Sequence, residues 1–180
     1  MHPVIGGTCR ALMAAACLGV LADAQAPASR GNDKTCVLVA ATVMAFGQYD
    51  PVDTAPLDVQ GKILYKCGHE GKAARSTRTS GPQPTDSSDK LIVQISLGTG
   101  MSGRFAREMR GSNDSLRYNL YLDSLRTQIW GDGTAGTEVY TANAQPNGKT
   151  VIVPVFGRVF PGQDVADGIY LDSLVVTLDF

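Results

Sequence analysis

The side chains that could do chemistry are few and scattered. Of the two histidines, His2 falls in an apolar N-terminal run, which leaves His69 alone in the remainder of the chain. One histidine rules out a His-cluster metal site and argues against a Ser-His-Asp relay. His69 stands in a polar stretch and reads as a solvated loop residue. Asp50, Asp132, Asp164, Asp167 and Asp172 lie mostly in turn-like sequence, where Asp bonds its own backbone. Two carboxylates could hydrolyse a glycoside, yet nothing in the spacing singles out a pair. Asp132-Gly133 lacks the dense Asp/Asn spacing of a calcium loop. Gly98 to Gly103 (G-T-G-M-S-G) lacks the Gly-Lys-Ser/Thr ending of a phosphate loop. A strand-like stretch, Phe105 to Met109, follows it rather than a helix, so it reads as a hairpin turn. Trp130, the sole tryptophan, is a candidate surface contact that could stack on a sugar, or it packs beside the tight turn that follows; packing is the commoner use. The reading is therefore no catalytic residue, no cofactor, no metal, and no enzyme.

The remaining reactive groups are cysteines, and their fate depends on the N-terminus. Met1 to Ala24 has the anatomy of a secretory signal peptide. Arg10 supplies the positive charge, Ala11 to Leu21 is the apolar core, too short to span a bilayer stably, and Ala22-Asp23-Ala24 is a small-x-small cleavage site. Cleavage there makes Gln25 the first residue. A lipoprotein signal at Cys17 and a buried N-terminal helix are the alternatives. Processing removes Cys9 and Cys17 and leaves Cys36 and Cys67. In an exported protein an even pair is most simply one disulfide, with a free reactive pair as the other reading.

Stepping outward from these residues, the chain reads as all-β. Net charge is −1, which argues against nucleic acid or an anionic membrane surface as partner. Short alternating segments are separated by Gly, Pro, Asn and Asp clusters. Gln25 to Thr35 is polar and flexible in character. Strands are expected over 36–45, 56–67, 91–97, 105–109, 116–122, 127–130, 151–159 and 168–180, with 46–51 as a turn. Gly61 marks a bulge or a close backbone approach. Gly68 to Lys90 is a long polar loop, either mobile or functional. Seven to eight strands suffice for a two-layer sandwich.

The last stretch, G-I-Y-L-D-S-L-V-V-T-L-D-F (168–180), puts Leu174, Val176, Leu178 and Phe180 on one face at a period of two. The sequence stops on this strand. An apolar strand with an open edge invites pairing with another chain, so that edge is the expected functional site.

Several segments together resemble one family: F-G-Q-Y-D-P (46–51), P-L-D-V-Q-G-K-I-L-Y-K-C (56–67), I-S-L-G-T-G (95–100), L-R-Y-N-L-Y-L-D-S-L-R-T-Q-I-W-G-D-G-T (116–134), F-G-R-V (156–159), P-G-Q-D-V (161–165) and the run 168–180. They are similar to the spore coat protein U family, which includes pilin subunits of archaic chaperone–usher pili. The resemblance divides the chain into a signal peptide (1–24), a short polar segment (25–35) and a coat-U-like domain (36–180). It implies an incomplete immunoglobulin-like β-sandwich lacking its final strand, with Cys36–Cys67 as the family disulfide. It implies a structural or adhesive role, with a periplasmic chaperone, an outer-membrane usher and other pilin-like subunits as partners. On that analogy Leu174, Val176, Leu178 and Phe180 line an acceptor groove, and the Phe180 carboxylate would anchor basic chaperone residues. A free-standing secreted sandwich that binds carbohydrate is the alternative. The segment Gln25–Thr35 departs from the pattern: it lacks the alternating apolar residues of a donor strand, so this chain is expected to accept a strand and donate weakly.

Overall fold

The structure is a computed structural model, and it describes residues 15–21, 34–69, 91–144 and 147–180. Ten strands carry the described fold: β1 (Ala15–Leu21), β2 (Lys34–Ala41), β3 (Met44–Gln48), β4 (Leu57–His69), β5 (Leu91–Leu97), β6 (Arg107–Arg110), β7 (Ser115–Tyr121), β8 (Tyr140–Ala144), β9 (Thr150–Val159) and β10 (Ile169–Asp179). Alternation dictates most of them. β4 buries Ile63, Tyr65 and Cys67 and β9 buries Val153, Val155 and Val159 at a period of two, and β7 buries Leu116, Tyr118 and Leu120 together with Asn119 and Tyr121. Burying each such aliphatic side chain contributes roughly 1.5–3 kcal/mol.

The strands run in the order β2-β4-β9-β7-β6-β10-β1-β3, with β5 on β10 and β8 on β5. This ladder folds onto itself as a sandwich. One layer is β2-β4-β9-β7-β6 and the other is β8-β5-β10-β1-β3, and β10 joins them. Its Leu171 pairs with Arg110 of β6, and its Val176 to Asp179 pair with β5. Between the layers the buried cluster includes Val93, Ile95, Leu97, Met44, Phe46, Leu174, Val176 and Trp130. Cys36 and Cys67 stand directly opposite on β2 and β4 and form a disulfide, Cα to Cα 4.0 Å.

The first expected strand region divides in two. After Thr42, which still bonds Lys62 of β4, the chain crosses at Val43 and joins the other layer as β3. Two glycines make room for this crossing. A Cβ on Gly61 would lie 2.8 Å from Thr42 Oγ1 and 2.9 Å from Met44 Cγ, and one on Gly157 would lie 2.7 Å from Met44 Cε and 2.8 Å from Phe46 Cζ. Gly61 is thus a close approach; its ladder to β9 runs without a shift.

Several expectations need correction. Phe46 to Gln48 belong to strand β3, not to a turn, because Phe46 is anchored in the core. Gly68 and His69 extend β4, with His69 opposite Lys34. Thr127–Trp130 forms no strand but two isolated bridges, Ile129 to Tyr121 and Trp130 to Glu138. Tyr140–Ala144 adds a strand beyond those expected, and Ala15–Leu21, for which a buried helix is the alternative to a leader, is a strand. Lys34 and Thr35 already belong to β2. The rest of the polar segment, the cleavage site and residues 70–90 lie outside the described residues. Among the described residues no helix is long and apolar enough to cross a membrane.

Candidate strand-acceptor groove

The two walls of the groove are β10 and β3, and the strand between them is β1. Strand β1 runs parallel to β10, from Ala15 opposite Ile169 to Leu21 opposite Val175. It runs antiparallel to β3, with Ala15 opposite Gln48 and Leu18 opposite Met44, and a register shift between Ala16 and Cys17. Every other strand ladder in the described residues is antiparallel. Without β1, the walls would stand two strand spacings apart, roughly 9.5 Å. Both would then present unpaired backbone N–H and C=O groups.

The β10 wall is built by alternation. Tyr170, Asp172, Leu174 and Val176 are buried in turn. Leu178 and Phe180 are half-buried and pack against the core. Of the four residues expected to line the groove, two are therefore fully buried and two sit at its margin. β1 covers β10 only as far as Val175. Beside Val176 a cavity of about 10 Å³ remains, bordered also by Ala41, Thr42, Met44, Ile63 and Leu174.

A polar network lies under the groove. Asp172 is buried, in contrast to the turn position expected for it. Its Oδ2 accepts a hydrogen bond from the Tyr118 hydroxyl at 2.6 Å. Its Oδ1 accepts from the backbone N–H of Met101 at 2.7 Å and of Ser173 at 2.8 Å. Burial, and then the charge of Asp172, push the Tyr118 phenol well above its ordinary pKa, so it stays a donor. Gly100 passes so close to Asp172, at φ +72°, that any side chain there would collide with the carboxylate.

Arg107 is fully buried. Its guanidinium donates to Asn119 Oδ1 at 2.7 Å, to the Trp130 carbonyl at 2.7 Å and to the Gly98 carbonyl at 2.8 and 3.0 Å. Burial pulls its pKa down to about 10, opposed by the charge of Asp172. A buried cation is tolerated only when its donors are so matched. Among the described residues no buried side-chain nitrogen or oxygen lacks a partner.

Trp130 is fully buried, and its Nε1–H donates to the Ile95 carbonyl at 2.8 Å. Its ring meets Tyr140 at 6.0 Å between centroids. The indole is thus a core residue and cannot serve as a surface contact: both its faces and its one donor are used inside the sandwich. Among the described residues no three His, Cys, Asp or Glu side chains group closely enough to hold a metal ion.

These features define an all-β sandwich with a Cys36–Cys67 disulfide and a sheet completed by a strand from a distant part of the chain. The sequence profile of the Spore Coat Protein U domain matches residues 23–177, and the chain belongs to that family. Protein U of Myxococcus xanthus is 39% identical over an alignment of 95 residues that covers 48% of this chain and 51% of that protein. The chain thus spans about half the length of this curated relative. A solved structure aligns with a TM-score of 0.49 at 21% identity, over 82% of this chain and 40% of its own: the CsuC–CsuE chaperone–tip adhesion subunit pre-assembly complex from archaic chaperone–usher Csu pili of Acinetobacter baumannii.

Proposed function

We propose that this chain is an exported structural subunit of a surface fibre or coat, completed by a strand that another protein inserts between β10 and β3. The observation that carries the reading is the groove itself. The sheet is continuous only because Ala15–Leu21 fills it, and that segment has the composition of a signal-peptide core. The family profile begins its match at residue 23, next to the cleavage site at Ala24, which supports removal of β1 on export. Cleavage leaves an apolar slot with two unpaired edges. Such an edge is a template for β-augmentation.

A periplasmic chaperone fills the slot first, the outer-membrane usher receives the complex, and a neighbouring subunit's strand takes the chaperone's place. The polar Gln25–Thr35 segment offers little apolar surface in return, so this subunit accepts strongly and donates weakly. It then stands at a fibre end, in a minor position or in a coat. Catalysis plays no part.

Co-expression with the chaperone in the periplasm tests this. A one-to-one complex is expected, and Val176→Asp, which sets a charge on the groove wall, abolishes it. A soluble monomer that ignores the chaperone overturns the reading.

A further inference from the structure

Tyr118 touches both walls of the groove from below. It projects from β7, in the opposite layer. Its hydroxyl donates to Asp172 on β10 at 2.6 Å. Its ring meets Phe46 on β3 edge-on, at 5.8 Å between centroids. Across the slot at this level, Asp172 stands opposite Leu18, which stands opposite Met44. Phe46 is itself held, because it sits over Gly157 where no side chain competes. Asp172 is held from its other side by the Met101 N–H of the Gly98–Gly103 turn.

We propose that Tyr118 and Asp172 are positioning residues that gauge the groove, keeping β10 and β3 one strand apart so that the slot neither collapses nor spreads. This rests on the strand-acceptor reading above. An empty slot has no ladder hydrogen bonds to fix its width, and its apolar walls gain by closing on each other. A bond from the opposite layer to a buried carboxylate resists both movements, because charge-assisted hydrogen bonds are short and directional. The choice of a buried acid supports the argument. For stability alone, an apolar residue of similar volume serves a core position as well or better. The G-x-Y-x-D run (168–172) thereby acquires a physical role for its last residue.

Hydrogen–deuterium exchange of the full 180-residue chain tests the gauge, with the amides of Ala15–Leu21 as the reporter of a seated strand. In the unmodified chain these amides are protected. Tyr118→Phe keeps the ring and removes the hydroxyl. It should speed their exchange about tenfold or more, while amides in the β4–β9 ladder keep their protection. Asp172→Asn should give the same local pattern. If Asp172→Asn fails to fold, β4–β9 protection disappears too, and Tyr118→Phe decides alone. Unchanged exchange of Ala15–Leu21 in Tyr118→Phe overturns the gauge and leaves the acceptor reading standing. An equal loss across β1 and β4–β9 makes the pair a general stabiliser and also overturns the gauge. Free exchange of Ala15–Leu21 in the unmodified chain would instead overturn the acceptor reading itself.

Discussion

The β4–β9 ladder and the β10–β3 groove meet in the same core but close in opposite ways. Strands β4 and β9 pair without a shift from Leu57–Val159 to Lys66–Thr150, β2 covers the far edge of β4, and Cys36–Cys67 ties that edge down. Everything this half needs lies within its own strands. The other half has inward-facing residues of the same kind, yet among the described residues the backbones of its two walls are bridged only by Ala15–Leu21. The difference teaches that a domain can be well packed and still unfinished. What separates the two halves is whether the chain supplies the backbone partners of its edges, not how apolar their faces are.

Four perturbations sharpen this contrast. The largest effect is expected for Arg107→Ala. It strands the carbonyls of Gly98 and Trp130 and removes one of the two bonds to Asn119 Oδ1, at a cost of about 3 kcal/mol or more. Because Arg107 reaches the Gly98–Gly103 turn, which braces β10, urea denaturation should show lower stability and the groove half should lose its order first. Replacing both Cys36 and Cys67 by Ser opens a loop of 31 residues' separation and costs about 3–4 kcal/mol in the chain-entropy picture. That loss belongs to the β2–β4 edge, so strand uptake between β10 and β3 at low temperature should survive. If uptake fails, the two halves are not separable.

Gly100→Ala is expected to cost about 1–3 kcal/mol, because the left-handed backbone and the Asp172 carboxylate both oppose a side chain. Thermal melts measure the cost, and the effect should fall on β10 and not on β4–β9. The smallest effect concerns Asp58, half-exposed between Arg158 at 2.8 Å and Arg126 at 3.2 Å. The hydrogen bond from Arg158 leads in holding its carboxyl below the usual range. A depressed folded pKa stabilises above the unfolded value and is lost as pH falls through the folded one. Asp58→Asn should therefore remove under about 1 kcal/mol at pH 7 and flatten part of the stability loss below about pH 4.

Much of the sandwich was legible because alternation survives in single strands. β4, β5, β9 and β10 face the core with every second residue in the way their sequences announce, while β7 buries Tyr118 to Tyr121 without a break. β8 (Y-T-A-N-A) escaped because two of its three inward residues, Ala142 and Ala144, are small and polar neighbours hide the period. β1 was invisible as a strand for a different reason: a continuous apolar run serves a leader core and a buried strand equally well, and composition cannot separate them. Asp172 was misplaced by the habit of assigning Asp to turns. Its parity held the correction, since it falls between Tyr170 and Leu174 on the face that also carries Val176. Arg107 shared a parity with Met109 in the same way. A charged residue in phase with a buried row is the signal for a buried polar network. The pairing of Tyr118 with Asp172 had no such signal, because it depends on how the two layers are superposed.

The central claim is that the slot between β10 and β3 must be filled by a strand. Its most direct test is native mass spectrometry of the chain beginning at Gln25, with and without a synthetic peptide of the sequence Ala15–Leu21. The account predicts that the shortened chain is poorly soluble or self-associated alone and becomes a monomer carrying one peptide when the peptide is added. A stable monomer that takes up no peptide would mean that the fold closes its own edge, and the account would be contradicted.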